Sequence, residues 1–158
     1  MHKSTAIKSS DGYYVNNERL EFLGDAILGA IISDVIYSRF ETKREGFLTN
    51  TRSKIVQRES LNHIAIQLGL DKLIQSAAKT SEHTQNMYGN AFEALIGAIY
   101  LDQGYTKCRQ FILNKVLNNY VDLNKIAFKE VNFKSKLIEW GQKHKVEVVF
   151  EIIEEYIT

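Results

Sequence analysis

The chain has 158 residues, of which 44% are hydrophobic, enough for one buried core without disulfide or metal staples. Its formal net charge of only +1 excludes a uniformly basic nucleic-acid binder, so any phosphate-binding surface must come from local clustering. The one cysteine, Cys108, excludes an intramolecular disulfide, and the absence of an apolar run of about 18 residues or of an apolar signal core after Met1 leads us to expect a cytoplasmic protein with no membrane partner.

With no proline in the chain, element boundaries are read from glycine, polar clusters and changes in hydrophobic period. The period is helical almost throughout. It predicts helices near 17–39, 48–57, 58–68, 70–75, 87–102 and 105–120, with loops at 6–15, 40–47 and 76–86. Asn16 or Asn17 can cap the first helix, and Glu45-Gly46 marks a turn. Between Lys43 and Arg58 the residues Lys43, Arg44, Arg52, Lys54 and Arg58 face Glu45 as the only acid, which is either a solvated helix face or a phosphate-binding stripe. Past residue 125 the pattern changes: an amphipathic helix over 132–144 is followed by the β-branched stretch Val146 to Ile153. A lone strand is not stable, so 132–158 reads as the beginning of a second module, joined by a linker over 126–131 to an all-α domain over 1–125.

Two predicted helices carry acids among apolar residues. In the segment from Asn17 to Leu28, Glu18, Glu21 and Asp25 fall within about 60° of one another at 3.6 residues per turn, so three carboxylates share a face. Leu20, Leu23, Ala26, Ile27, Ala30 and Ile31 occupy the other faces, and a helix apolar nearly all round is expected to be buried. The segment from Tyr88 to Leu101 repeats the situation, with Asn90 and Glu93, three apart, as its two polar side chains amid alanine, leucine, isoleucine and phenylalanine. Clustered buried carboxylates require a compensating cation. Arg19 points about 100° away from Glu18, and the second segment has no basic residue, so a divalent metal is favoured over an arginine or lysine. An all-oxygen donor set suits Mg²⁺ or Mn²⁺ and implies metal-assisted phosphoester hydrolysis.

These residues resemble the ribonuclease III family. The peptide Asn17-Glu18-Arg19-Leu20-Glu21-Phe22-Leu23-Gly24-Asp25-Ala26 is similar to the family's signature nearly residue for residue. The likeness continues through Arg44-Glu45-Gly46-Phe47-Leu48 and through Gly89-Asn90-Ala91-Phe92-Glu93-Ala94, and covers most of residues 1–125. The resemblance implies an all-helical nuclease domain that forms a homodimer and cuts double-stranded RNA, leaving 5′-phosphate and 3′-hydroxyl ends. It further implies Glu21, Asp25, Asn90 and Glu93 as metal ligands, with Asp25 and Glu93 the catalytic pair, and Glu18 and Glu45 as accessory acids. Phe22 matches an aromatic that inserts into the partner subunit. The family most often has aspartate where this chain has Asn90; an amide oxygen can still ligate Mg²⁺, but with one negative charge fewer.

The tail Asn132-Phe133-Lys134-Ser135-Lys136-Leu137-Ile138-Glu139-Trp140-Gly141-Gln142 resembles the first helix of a double-stranded RNA-binding domain. By position Ser135, Glu139 and Gln142 match RNA contacts, and Arg52, Lys54 and Arg58 are the basic candidates in the nuclease part. The beginning of the chain resembles a motif that usually follows a further helix, so a fragment of a longer enzyme is expected. Two other readings compete: an all-α nucleotide pyrophosphatase, whose partner motif would need two further acids at a shorter separation where this chain has Asn90 and Glu93, and an inactive ribonuclease III-like RNA-binding protein, against which the costly acids Glu21, Asp25 and Glu93 argue.

Overall fold

The computed structural model describes residues 10–12, 16–74, 81–129 and 133–150, excluding the side chains of 81–86, 133–136 and 139. The described residues are all-α, and the chain divides into two compact units, Met1–Ala127 and Phe128–Thr158.

Helix α1 spans Glu18–Arg39. Of the two candidate caps, Asn16 makes the side-chain bond: its Oδ1 accepts the Glu18 N–H at 3.1 Å, satisfying one of the donors left over at a helix start. Asn17 contributes its backbone carbonyl, which accepts the Glu21 N–H at 2.8 Å. The helix ends at Phe40, whose buried ring meets Phe47 edge-on with centroids 5.3 Å apart.

Helix α2 spans Glu45–Val56 and so begins three residues before the expected start at 48. Arg44 is extended (φ −78°, ψ 163°), and Glu45 places an acid in the first turn, where the helix dipole favours it; Gly46 is tolerated there because it lies at an end. A single extended residue, Gln57 (ψ 151°), separates α2 from α3, Arg58–Gln67. Gly69 then adopts φ 79°, a left-handed conformation that glycine enters without a Cβ penalty, and the expected helix at 70–75 contracts to a 3₁₀ turn over Leu70–Lys72.

Helix α4 spans Ser81–Phe111. Residues 81–86 of the expected loop are therefore helical, whereas 75–80 lie outside the described residues. The predicted break after residue 102 takes the form of one non-helical residue, Gly104 (φ 76°, ψ 175°), which redirects the helix without an intervening loop. A π-helical segment, Ile112–Leu117, and the short α5, Asn118–Tyr120, complete this run, followed by α6, Leu123–Phe128.

The core of the first unit is built on Leu28, Ile31, Ile32 and Ile36 of α1, packed with Ile55, Leu61, Ile64, Phe92, Ile96 and Ile112. Burying each such side chain contributes about 1.5–3 kcal/mol. Cys108 belongs to this core; its thiol donates to the Ile96 carbonyl at 3.7 Å, and burial pushes its pKa up, so it fills space as a small apolar residue. The expectation of an all-round buried α1 is corrected here. Phe22, Ala26, Ala30 and Tyr37 lie along one stripe that faces outward, with Phe22 80% and Tyr37 72% exposed. No helix among the described residues is long and apolar enough to cross a membrane.

In the second unit, α7 spans Phe133–His144. The chain reverses at Lys145, which adopts φ 57°, and the Val146 N–H returns to the Gly141 carbonyl at 2.8 Å. Gly141 is required by this reversal, because a Cβ there would collide with the Val148 side chain. Residues 146–150 form no strand, and the remainder of the expected strand, 151–153, lies outside the described residues. Leu137 and Trp140 of α7 and Val149 and Phe150 of the following segment are exposed.

Candidate active site

The two acid-bearing helices cross in backbone contact. Gly24 of α1 lies so close to α4 that an added Cβ would fall on the Glu93 carbonyl oxygen, and an added Cβ on Gly97 would fall on the Leu20 carbonyl oxygen. Only two glycines allow this approach. Its effect is to bring Glu21 and Asp25, which flank Gly24 in the helical repeat, beside Glu93, one turn before Gly97.

At this crossing lies an open cleft of about 410 Å³. It is lined by Glu18, Glu21, Phe22 and Asp25 from α1, by Gly89, Asn90 and Glu93 from α4, and by Val56, Arg58 and Leu61. The acids singled out on the two helices thus share one site with Asn90. Glu21, Asn90 and Glu93 are half-buried, while Glu18 and Asp25 are exposed, so the carboxylates line a solvent-facing cleft and are not sealed in the core.

Electrostatics single out Glu93. Burial, followed by the negative charges of Asp25 and Glu21, pushes its pKa up to about 7, against a weaker opposing pull from Arg58. A carboxyl group held half-protonated near neutrality by burial and, after it, by neighbouring carboxylates marks a place where an added cation would bind favourably. The donor set of carboxylates and one amide fits a hard divalent ion. Among the described residues no three His, Cys, Asp or Glu side chains close into a compact ligand cluster. An ion held by Glu21, Asp25, Asn90 and Glu93 would accordingly keep several waters, as Mg²⁺ usually does.

Two residues of the site escape a reading confined to the two acid-bearing helices. Arg58 supplies a cation to the cleft from α3, although neither acid-bearing helix has one pointing there. Asn62, one turn further along α3, accepts the Gly89 N–H at 2.7 Å and ties α3 to α4 directly before Asn90. Gly97 sets the helix crossing. Only the small-residue spacing Gly24 and Gly97 carried a sequence signal; the position of Arg58 depends on the tertiary packing of a third helix.

The other candidates lie in different surroundings. Glu45 accepts a hydrogen bond from Thr49 Oγ1 at 2.8 Å and lines a separate hollow of about 370 Å³ with Ile36, Tyr37, Leu48 and Arg52. Arg52 reaches Ser33 Oγ at 3.4 Å and also borders a surface depression with Asp25, Ala26, Ala30 and Val56. Lys54 is half-buried and donates to the Ile126 carbonyl at 3.4 Å. Gln142 is exposed on α7, whereas the side chains of Ser135 and Glu139 lie outside the described residues.

The fold and site define a class: an all-α helical bundle that gathers oxygen donors from two crossing helices into one open, anionic cleft. Its family follows from comparison: a family model described as Ribonuclease-III-like matches residues 1–120, and the chain belongs to that family. It is similar to Ribonuclease 3 of Bacteroides thetaiotaomicron, with 65% identity over 157 residues, covering 99% of this chain and 50% of that protein. Among solved structures it is similar to the nuclease domain of ribonuclease III from Campylobacter jejuni, at 32% identity and a TM-score of 0.64, over 75% of this chain and 82% of that one; that domain is described as flexible in a region involved in dimer formation. Dicer from Pichia stipitis is similar at 30% identity and a TM-score of 0.61, over 80% of this chain and 60% of that one. The chain spans about half the length of the curated Bacteroides relatives it matches.

Proposed function

We propose that this chain is the nuclease part of a divalent-metal-dependent endoribonuclease that hydrolyses phosphodiester bonds in double-stranded RNA, leaving 5′-phosphate and 3′-hydroxyl ends, in rRNA and mRNA processing in the cytoplasm. The observation that carries the reading is the convergence of Glu21, Asp25, Asn90 and Glu93 on one cleft at the Gly24–Gly97 crossing. Mg²⁺ is the proposed ion, with Mn²⁺ as a substitute, and it would supply electrostatic stabilisation of the phosphoryl oxygens and a source of hydroxide at neutral pH. Asp25 and Glu93 are the proposed catalytic pair, Glu21 adds negative charge, and Asn90 offers a neutral oxygen that orients without adding charge, at some cost in metal affinity. Glu18 is an accessory acid at the cleft rim.

The functional unit proposed is a homodimer formed through the open stripe of α1, with Phe22 inserting into the partner subunit; Glu45 is an accessory acid in that assembly. Double-stranded RNA is the proposed second partner, contacted by Arg52, Lys54 and Arg58 and by Ser135, Glu139 and Gln142 of the second unit. The proposed organisation is a nuclease domain over 1–125, a linker over 126–131 and the start of a double-stranded RNA-binding domain over 132–158. The test is cleavage of a labelled RNA duplex at low salt with Mg²⁺, with Mn²⁺ and with EDTA, beside Asp25→Asn. Metal-dependent cutting that Asp25→Asn reduces by about 10³-fold is expected, since several kcal/mol of charge stabilisation is lost. Absence of cutting by a folded parent chain with either metal would overturn the reading.

A further inference from the structure

Arg58 opens α3, and Leu61 and Asn62 follow one turn later on the same face. Asn62 holds the Gly89 N–H, and Leu61 is buried, so this face of α3 is fixed against the start of the segment that carries Asn90 and Glu93. Arg58 is thereby delivered to the acid cleft as the one basic side chain among its described lining residues, opposite Glu18, Glu21, Asp25 and Glu93. A cation in this position repels a divalent ion and so works against a site built for metal alone. It becomes favourable when a second anion enters with the metal. In phosphodiester hydrolysis that anion is the phosphate group itself, and guanidinium is the side chain best shaped to hold two phosphate oxygens at once.

We infer that Arg58 is the cleft's own phosphodiester ligand, holding the non-bridging oxygens of the reacting phosphate beside Asp25 and Glu93, and that its charge sets the cleft's affinity for metal before RNA arrives. The inference rests on the RNA-cleaving reading and narrows the RNA contact proposed for Arg58 to the reacting phosphate, a role separate from that of Arg52 and Lys54 outside the cleft lining. It makes two predictions of opposite sign. Arg58→Ala weakens binding of an RNA duplex in EDTA by about tenfold and makes the plot of log affinity against log salt shallower by about one unit. The same variant, free of RNA, binds Mn²⁺ about threefold more tightly or better in an electron paramagnetic resonance titration, because a repelling charge is gone. Arg58→Lys keeps the charge, and with it the parent salt slope and Mn²⁺ affinity, while its kcat falls because an ammonium lacks the two-pronged geometry. Lys115→Ala, which removes an equal charge at an exposed position away from the cleft lining, leaves slope and Mn²⁺ affinity unchanged.

Neither binding measurement requires cleavage, so they separate the two ideas. A parent chain that fails to cut removes the nuclease reading. A parent that cuts, with an Arg58→Ala variant that matches it in both salt slope and Mn²⁺ affinity, removes the assignment of Arg58 alone.

Discussion

Helix α1 has two apolar faces with opposite fates. One carries Leu28, Ile31, Ile32 and Ile36, all at most 2% exposed, and forms the centre of the first unit. The other carries Phe22, Ala26, Ala30 and Tyr37 and lies open. An apolar side chain therefore shows where water is unfavourable without showing whether the covering partner is the same chain or another. Exposed apolar stripes on a structured helix mark association surfaces, which is why the open face supports the homodimer proposal.

The two faces are separable by mutation. The largest effect is expected at the buried crossing, where Gly24→Ala forces a methyl group onto the α4 backbone; overpacking against main chain should cost about 3 kcal/mol or more, read as loss of the cooperative thermal transition in circular dichroism. Next comes a matched pair. Ile31→Ala, on the buried face, should lower stability by roughly 2–5 kcal/mol in denaturant titration. Phe22→Ala, on the open face, should stay within about 0.5 kcal/mol at low protein concentration but weaken self-association by at least 30-fold, roughly, in analytical ultracentrifugation. Equal stability losses for the pair would mean that the open face is part of the monomer's own core.

The smallest effect concerns the acid cleft. Glu93 has its pKa raised to about 7, above the ordinary glutamate value of 4.5, so the folded chain binds more protons than the unfolded chain between those values. Stability of the metal-free protein should therefore fall as pH rises from about 4.5 to about 7, and Glu93→Gln should flatten that fall. In EDTA at pH 7.5 the variant should melt a few degrees above the parent, on the order of 2–4 °C, and added Mn²⁺ should reverse the order by stabilising the parent. A variant as pH-sensitive as the parent in scanning calorimetry would show that Glu93 is not the strained group.

Much of this was legible from residue spacing. The helical repeat of Glu18, Glu21 and Asp25 placed them on one face, and the adjacency of Asn90 and Glu93 on a second apolar helix pointed to the same site, because both follow from local geometry. The need for a cation was also legible, but the identity of the protein's own cation was not. Arg58 is distant in sequence from both acid-bearing segments, and the extended Gln57 that redirects the chain into α3 has no marked local signature. The same limit applies to Glu45, which proximity to the basic segment did not place and which lines a different hollow in the folded chain. Gly104 shows the opposite case: the break it suggested exists, but one left-handed residue suffices and no loop is needed.

The contact between Gly24 and Gly97 has a consequence for how this site can vary. Because main chain rests on main chain there, the separation of the acid-bearing helices is set by the dimensions of the peptide unit, not by the volume of intervening side chains. Distant positions such as Ile36, Ile64 or Ile112 can exchange one aliphatic group for another without altering the gauge between Asp25 and Glu93. The crossing acts as a spacer that cannot be worn away by gradual substitution, so drift in the interior and calibration of the site are largely independent.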